Sequence, residues 1–303
     1  MVHMVDRETT MPTELLIDAN SAAYRMLFAG DIIAVQHRGN KILTGIPHGV
    51  LAAVASMRSR NRFDRISIFW DGGISEKKKI YPEYKKNRKN EHKDFTREDI
   101  VNSTGMTIRM ARFAGIPQYR VKGQEADDII ASYAAACELD VMILSSDHDF
   151  FQLLGPGVKM LRPTRKGPEL WTAERFQSKY GYHPRYYAHY LALVGDPGDG
   201  IPGVKGIGKV TADAIFSKLK KPTLKKIYSQ IDRLGLKPRA ASSLRNGRPD
   251  AATFLKITKL RKDIELQPLF TDVKDEKKLL ALFKMLKMRS FQSDIAMGYL
   301  CNG

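Results

Sequence analysis

Apolar and polar positions along this chain follow a repeated rhythm: a short apolar run, then an acid, then a stretch with helical spacing. Residues 15–17 (Leu15, Leu16, Ile17) end at Asp18, and 20–28 then reads as a helix. Residues 46–60 place Val50, Ala53, Val54 and Met57 at helical spacing. Residues 65–70 alternate around Ile66, Ile68 and Trp70 and end at Asp71. Residues 117–121 predict a further short strand, 125–137 a helix, and 141–144 a buried strand closed by Ser145-Ser146-Asp147. Strands alternating with helices predict an α/β fold with a central, mainly parallel sheet flanked by helices. Ligands of such sheets gather beyond the carboxyl ends of the strands, where Asp18, Asp71 and Asp147 fall. A single strand-end aspartate reads equally well as a helix cap. Three on one edge favour a metal site.

Charge sharpens this picture. The 303 residues carry 50 Lys and Arg against 33 Asp and Glu, a net charge of +17. A basic chain that gathers acids into a few motifs predicts divalent ions held against a polyanion. The acids in question are Asp18, Asp71, Glu125, Asp127, Asp128, Asp147, Asp149, Asp196 and Asp199. Hard cations take oxygen ligands, and two of them side by side can clamp the attacking and leaving oxygens of a phosphodiester. Acids in a first helical turn also answer the helix dipole, but Glu125, Asp127 and Asp128 fall within four residues and repel one another unless cations neutralise them. His148, between Asp147 and Asp149, reads as a bystander. The two cysteines, Cys137 and Cys301, build no disulfide framework, so a reducing cytoplasm is expected. No apolar run is long enough for a membrane span, and the first ten residues lack the apolar core of a signal peptide.

Two segments bear on nucleic acid. Residues 75–98 interleave Lys77, Lys78, Lys79, Lys85, Lys86, Arg88, Lys89, Lys93 and Arg97 with Tyr81, Tyr84 and Phe95. Basic residues mixed with aromatics grip single strands by phosphate contact and stacking, and a long excursion at the mouth of a site commonly acts as a gate. Residues 195–212 supply Asp196 and Asp199 on a tight turn. A glycine-rich hairpin (Gly203, Lys205, Gly206, Gly208, Lys209) then opens a helix. Backbone N–H groups at a helix start suit phosphate. The glycines do not follow a strand, so a dinucleotide fold is disfavoured and helix–hairpin–helix binding of duplex is expected.

Together, Ile17-Asp18-Ala19-Asn20, Trp70-Asp71-Gly72, Tyr81-Pro82-Glu83-Tyr84-Lys85-Lys86-Asn87-Arg88, Gly123-Gln124-Glu125-Ala126-Asp127-Asp128, Ser146-Asp147-His148-Asp149 and the 195–212 stretch resemble the 5′-nuclease family. That family comprises flap endonucleases and the 5′–3′ exonuclease domain of family A DNA polymerases. The likeness runs from about residue 15 to about 266. It implies a PIN-like core over 11–180 that includes a helical arch over 75–105. It further implies a helical, duplex-binding helix–three-turn–helix region over 181–266 and a basic C-terminal extension over 267–303. Asp18, Asp71, Glu125, Asp127 and Asp128 resemble the family's first metal-binding group, and Asp147, Asp149, Asp196 and Asp199 the second. Lys85 and Arg88 resemble the catalytic basic residues at the foot of the arch. DNA contacts are implied for Arg25, Lys77, Tyr84, Gly203, Lys205, Gly206, Gly208 and Lys209.

The expected activity is therefore two-metal hydrolysis of DNA at 5′ ends and 5′ flaps by a monomeric, stand-alone phage or bacterial type of enzyme. Mg²⁺ or Mn²⁺ would serve the carboxylates and K⁺ the hairpin. Nicked or gapped duplex and RNA primer–DNA hybrids are the further partners implied. A non-catalytic DNA-binding protein on the same fold and a PIN-type RNA nuclease are the alternatives. Lys77 stands where the family often has Arg, His148 where it often has Lys, and Gly200 where Asn is common.

Overall fold

The computed structural model describes residues 13–28, 33–59, 63–87, 94–271 and 274–301. In chain order the elements begin with β1 (Thr13–Asp18), α1 (Ala19–Leu27), β2 (Ala34–His37), β3 (Asn40–Leu43), α2 (Gly45–Arg58) and β4 (Arg65–Phe69). Then come α3 (Lys77–Ile80), α4 (Arg97–Phe113), β5 (Gln118–Tyr119), α5 (Ala126–Ala136), β6 (Asp140–Leu144), β7 (Val158–Arg162) and β8 (Glu169–Trp171). Helices follow: α6 (Ala173–Tyr180), α7 (Tyr187–Val194), α8 (Lys209–Lys218), α9 (Leu224–Ser229), α10 (Pro238–Asn246), α11 (Arg248–Thr258), α12 (Glu276–Met285) and α13 (Asp294–Cys301).

Six strands form one sheet in the order β5-β4-β1-β6-β7-β8. All neighbours pair in parallel except β7 and β8. The centre of this sheet explains why β1 reads as an unbroken apolar run. Leu15, Leu16 and Ile17 are all fully buried, as strands covered on both faces must be. Side chains alternate across a strand. Leu16 accordingly joins one apolar cluster, with Phe69, Ile129 and Ile143. Leu15 and Ile17 join the opposite one, with Ile68, Val50 and Met110. Register sets the functional edge: Asp18 lies opposite Phe69, and Ile17 opposite Leu144. Asp71 and Asp147 follow those partners by a few residues, so all three aspartates leave the same end of the sheet.

The expected boundary at residue 180 is not a break in packing. One apolar cluster runs from Leu16 and Ile143 through Phe151, Trp171 and Phe176 to Tyr187, Phe216 and Phe254. Phe151 is its pivot, with ring centroids 4.5 Å from Trp171, 5.6 Å from Phe176 and 5.8 Å from Tyr187. The helical region is thereby fastened to the sheet on which the aspartates stand.

The 75–105 excursion is shorter than the sequence predicts. From Thr96 onward the chain is a core helix: Thr96 and Asp99 form a reciprocal capping box, and Ser103 is buried and accepts a hydrogen bond from Leu43 N at 2.8 Å. The aromatics expected to stack on bases turn inward instead. Tyr84 is 1% and Phe95 6% exposed, and Tyr81 meets the edge of Phe254 at 5.5 Å. Burying them removes more apolar surface from water than a loop position would. Arg88 and its neighbours through residue 93 lie outside the described residues.

The C-terminal region is also more than a basic tail. Lysines face outward along α12, while Leu279, Phe283, Leu286, Phe291 and Leu300 are buried in the cluster that holds α2 and α4. Phe283 is fully buried and stacks on Phe291 at 5.1 Å. Phe283→Ala is therefore expected to lower unfolding free energy by about 3–5 kcal/mol, measured by urea denaturation. A loss under 1 kcal/mol would mean that this segment is an appendage.

Candidate metal centre

The carboxylates reach the sheet edge from five segments, and most do two jobs. Asp18 closes β1 and caps α1: its Oδ1 accepts from Ser21 N (3.1 Å) and its Oδ2 from Ser145 Oγ (2.7 Å). Asp71 takes Ala126 N at 2.8 Å and so anchors the start of α5, with Asn20 Nδ2 on its other oxygen. Asp147 accepts from Asp149 N (2.9 Å) and starts a short 3-10 turn. Asp196 accepts from Gly198 N (2.8 Å) in a turn closed by its own pairing with Ile201. Capping and metal ligation are thus not rival explanations here, because a carboxylate has lone pairs for both.

The second tier is deeper. Glu125, Asp127 and Asp128 open α5, and one oxygen from each lies within 4.8 Å of the others. Lys77 and Lys85 stand against them. Lys77 Nζ is 3.1 Å from Glu125, 3.4 Å from Asp127 and 3.0 Å from Asp128. Lys85 Nζ pairs with Glu125 and lies 3.6 Å from Asp199. Tyr84 OH donates between Glu125 (2.8 Å) and Asp199 (2.9 Å). Asp149 and Asp199 are each 8% exposed.

Electrostatics marks the group as short of positive charge. Burial, then repulsion from Asp71 and Asp147, pushes Asp18 up to about 6 despite its hydrogen bonds. Burial raises Asp127 to about 8, with Glu125 and Asp128 adding to it and Lys77 opposing. Asp149 is driven well above the carboxylate range by burial and by Asp147, Asp127 and Asp199, and Asp71 and Asp196 are raised by burial first. Glu125 goes the other way, to about 2, because Lys77 and Lys85 outweigh its burial. These repulsions run from Asp18 to Asp147, from Asp71 to Glu125, from Asp127 to Asp149 and from Asp199 to Asp196, linking the two expected groups into one cluster. Oxygen donors with excess negative charge fit hard divalent cations.

Several expected residues sit elsewhere. Lys77 and Tyr84, expected at the DNA, are buried among the acids, where their polar ends are needed to offset charge. Packing by itself requires glycine at 203, which is buried, and at 206, which is exposed. A Cβ on Gly203 would collide with the backbone of Gly195 and lie 2.6 Å from Leu193 O, and one on Gly206 would meet Ser243 Oγ at 2.8 Å. Both have positive φ, 68° and 83°, so they serve the clasp between loop and helices. Gly208 alone faces open space, at the start of α8, with Lys205 and Lys209 exposed beside it. Arg25 is exposed on α1. His148 packs against Phe151 at 5.2 Å, and burial followed by Arg162 lowers its pKa. The sequence reading missed Asn20, Ser21, Ser145 and Arg261, which hold the acids by hydrogen bonds. Asn20 stood in the motif with Asp18 and the paired serines close β6, whereas Ser21 and Arg261 offered no signal.

Lys85 carries a left-handed backbone, φ 54°, uncommon for a residue with a side chain. Its N–H donates to Asp199 O at 2.8 Å, and Asn87 Nδ2 donates to Pro197 O at 2.7 Å. The turn that carries Lys85 and the loop that carries Asp196 and Asp199 are therefore joined backbone to backbone.

Family comparison covers most of the chain. Residues 13–181 match the model described as 5′-3′ exonuclease, N-terminal resolvase-like domain, and 182–278 that described as 5′-3′ exonuclease, C-terminal SAM fold. A 5′-3′ exonuclease of Aquifex aeolicus is 28% identical over 294 residues, covering 94% of this chain and 96% of that one. DNA polymerase I of Bacillus caldotenax is 29% identical over 91% of this chain, which spans only 32% of that polymerase's length. Among solved structures, T5 5′-exonuclease with divalent zinc ions bound superposes with a TM-score of 0.66 at 16% identity, over 95% of this chain and 97% of that one. The catalytic core of Rad2 in complex with DNA substrate gives 0.62 at 16% identity, over 94% and 91%. At such identities these two likenesses speak to the fold.

Asp18 and Asp127 are raised acids, so they hold protons up to about pH 6 and about pH 8 when no ion is bound. An ion must displace those protons. Divalent-ion affinity is expected to rise as pH goes from 6 to 8, by up to about tenfold per unit for each proton displaced. Mn²⁺ titration calorimetry in buffers of different ionisation enthalpy measures both affinity and proton release. A flat profile would contradict the raised values.

Proposed function

Because this chain belongs to the 5′-3′ exonuclease family, we propose that it is a structure-specific 5′ nuclease, hydrolysing DNA phosphodiesters at 5′ ends and at the base of 5′ flaps. The observation that carries this reading is the convergence of nine carboxylates from five segments on one end of the sheet, in a protein of net charge +17. Asp18, Asp71, Glu125 and Asp127, with Asp147, Asp149, Asp196 and Asp199, would hold two divalent ions, Mg²⁺ or Mn²⁺. Such ions supply Lewis acidity to the phosphoryl group and an activated water.

The chain's own residues do the rest. Lys85, at the rim with its side chain 18% exposed, exchanges its carboxylate partners for a phosphoryl oxygen and offsets charge developing there. Tyr84 keeps Glu125 and Asp199 apart and oriented. Gly208, Lys205 and Lys209 take the phosphates of the duplex at the start of α8, and Arg25 those nearer α1. Contacts of this kind go to phosphates and read no base, so duplex ends and RNA–DNA hybrids are substrates by shape. The enzyme acts as a monomer in this reading.

Cleavage of a 5′-labelled flap, with products sized, tests the proposal. Asp71→Asn and Asp147→Asn keep the oxygen that caps a backbone N–H and lose the charge, so each is expected to abolish Mg²⁺-dependent cleavage while flap binding in Ca²⁺ survives. Full activity in either variant would exclude the assignment. Lys85→Ala is expected to slow single-turnover cleavage by about two orders of magnitude, the scale of one lost transition-state contact, with little change in duplex affinity. An equal fall in affinity and rate would make Lys85 a grip residue.

A further inference from the structure

Lys77 stands apart from the other basic residues of its neighbourhood. Lys78 and Lys79 are exposed on the same short helix, whereas the Lys77 side chain is 8% exposed. Its ammonium touches the three acids that open α5, and Asp128 is the nearest at 3.0 Å. Asp128 is the most deeply buried of those acids, at 2%. Its remaining oxygen accepts from Arg261 N at 2.8 Å, a backbone donor just beyond α11. Asp128 is thus gripped on both sides by groups of this chain. Asp127 differs: besides its contact with Lys77, it accepts from the N–H of its own neighbour Asp128, at 2.6 Å, a donor that travels with it. Glu125 shares Lys77 with Lys85 and Tyr84 at the rim.

We propose that Lys77 and Asp128 form a permanent buried ion pair that floors the site, so that Asp128 is a positioning residue and not a metal ligand. Lys77 stays on Asp128 whether or not ions are bound. Its two other contacts offset charge on Glu125 and Asp127 while no ion is bound. The pair also links the sheet side of the site to the helical region, since Arg261 N follows α11. An isolated buried ammonium or carboxylate is strongly disfavoured, whereas the pair is tolerated when hydrogen bonds complete it. This proposal rests on the metal-binding reading above in its second half only. The pairing itself is a property of the ion-free protein.

The test is a double-mutant cycle read in two ways, with Mn²⁺ as the probe. The variants are Lys77→Met, Asp128→Asn, the double variant and, as a ligand control, Asp127→Asn. In EDTA, each single variant is expected to lower the melting temperature, and the double variant to recover a large part of the loss. In calorimetry, Asp128→Asn is expected to weaken Mn²⁺ by about tenfold, the scale of a disturbed supporting partner, because Lys77 is left uncompensated beside the ions. The double variant removes both charges and is expected to return to within about threefold of the unmodified protein, with the same stoichiometry. Asp127→Asn is expected to lose an ion. Additive losses in EDTA would overturn the pair, as would a double variant that stays as weak for Mn²⁺ as Asp127→Asn. If Lys77→Met does not fold, Asp128→Asn against the double variant still decides, since recovery of Mn²⁺ affinity requires the pair. An unmodified protein that binds no Mn²⁺ would remove the proposed function and overturn the positioning role, while the melting cycle in EDTA would judge the pair separately.

Discussion

Like charges at close range are the constraint around which this molecule is built. Acids from five segments converge at one end of a sheet, most of them buried, and each raises the cost of ionising its neighbours. Nothing in a helix or strand propensity favours that arrangement. It persists because each acid is tied to the fold by something else: a helix start for Asp18 and Asp71, a 3-10 turn for Asp147 and Asp196, a phenol shared by Glu125 and Asp199. Two lysines supply part of the missing positive charge from within. The rest of the architecture, a mainly parallel central sheet with helices packed on both faces and a helical half locked on through aromatic rings, holds the acids where repulsion would scatter them.

The fold's central part was legible in the sequence because its physics is local. Strands β1 and β6 are covered on both faces and leave apolar runs, β4 shows a short alternation around Ile66 and Ile68, and an acid stands at the edge of each where ligands gather. Helices α1, α2 and α5 fall within a few residues of the stretches expected from spacing. The strand pair β2 and β3 was not legible: its alternation is short and half exposed. The antiparallel strand β8 and the docking of α12 were hidden for another reason. Each depends on a partner that its own pattern does not show, the neighbouring strand β7 for Trp171 and the distant α2–α4 surface for Phe283.

The candidate site shows the same division. Which acids gather could be read from motifs, since carboxylates beside glycines and apolar runs stand out. Which basic and aromatic residues serve them could not. Lys77, Lys78 and Lys79 are consecutive and chemically alike, yet one is buried among acids and two face water. Tyr84 and Phe95 were read as stacking groups because they interrupt a basic run, and packing decided otherwise. Composition identifies a patch, but only the direction in which a backbone turns tells whether a residue on it points outward.

Under the proposed function, the clasp between Gly195 and Gly203 would make the protein a measuring device. Asp196 and Asp199 lie inside a loop whose two ends are pressed together backbone to backbone, and the chain leaves that clasp directly into the hairpin at the start of α8. Asp199 and the start of α8 at Lys209 are ten residues apart. A duplex seated on α8, as proposed, would be held at a set span from the carboxylates, like a rod against a stop. The position of a cut relative to the end of the double strand would then be counted in backbone atoms of this loop, without reference to the bases that lie there.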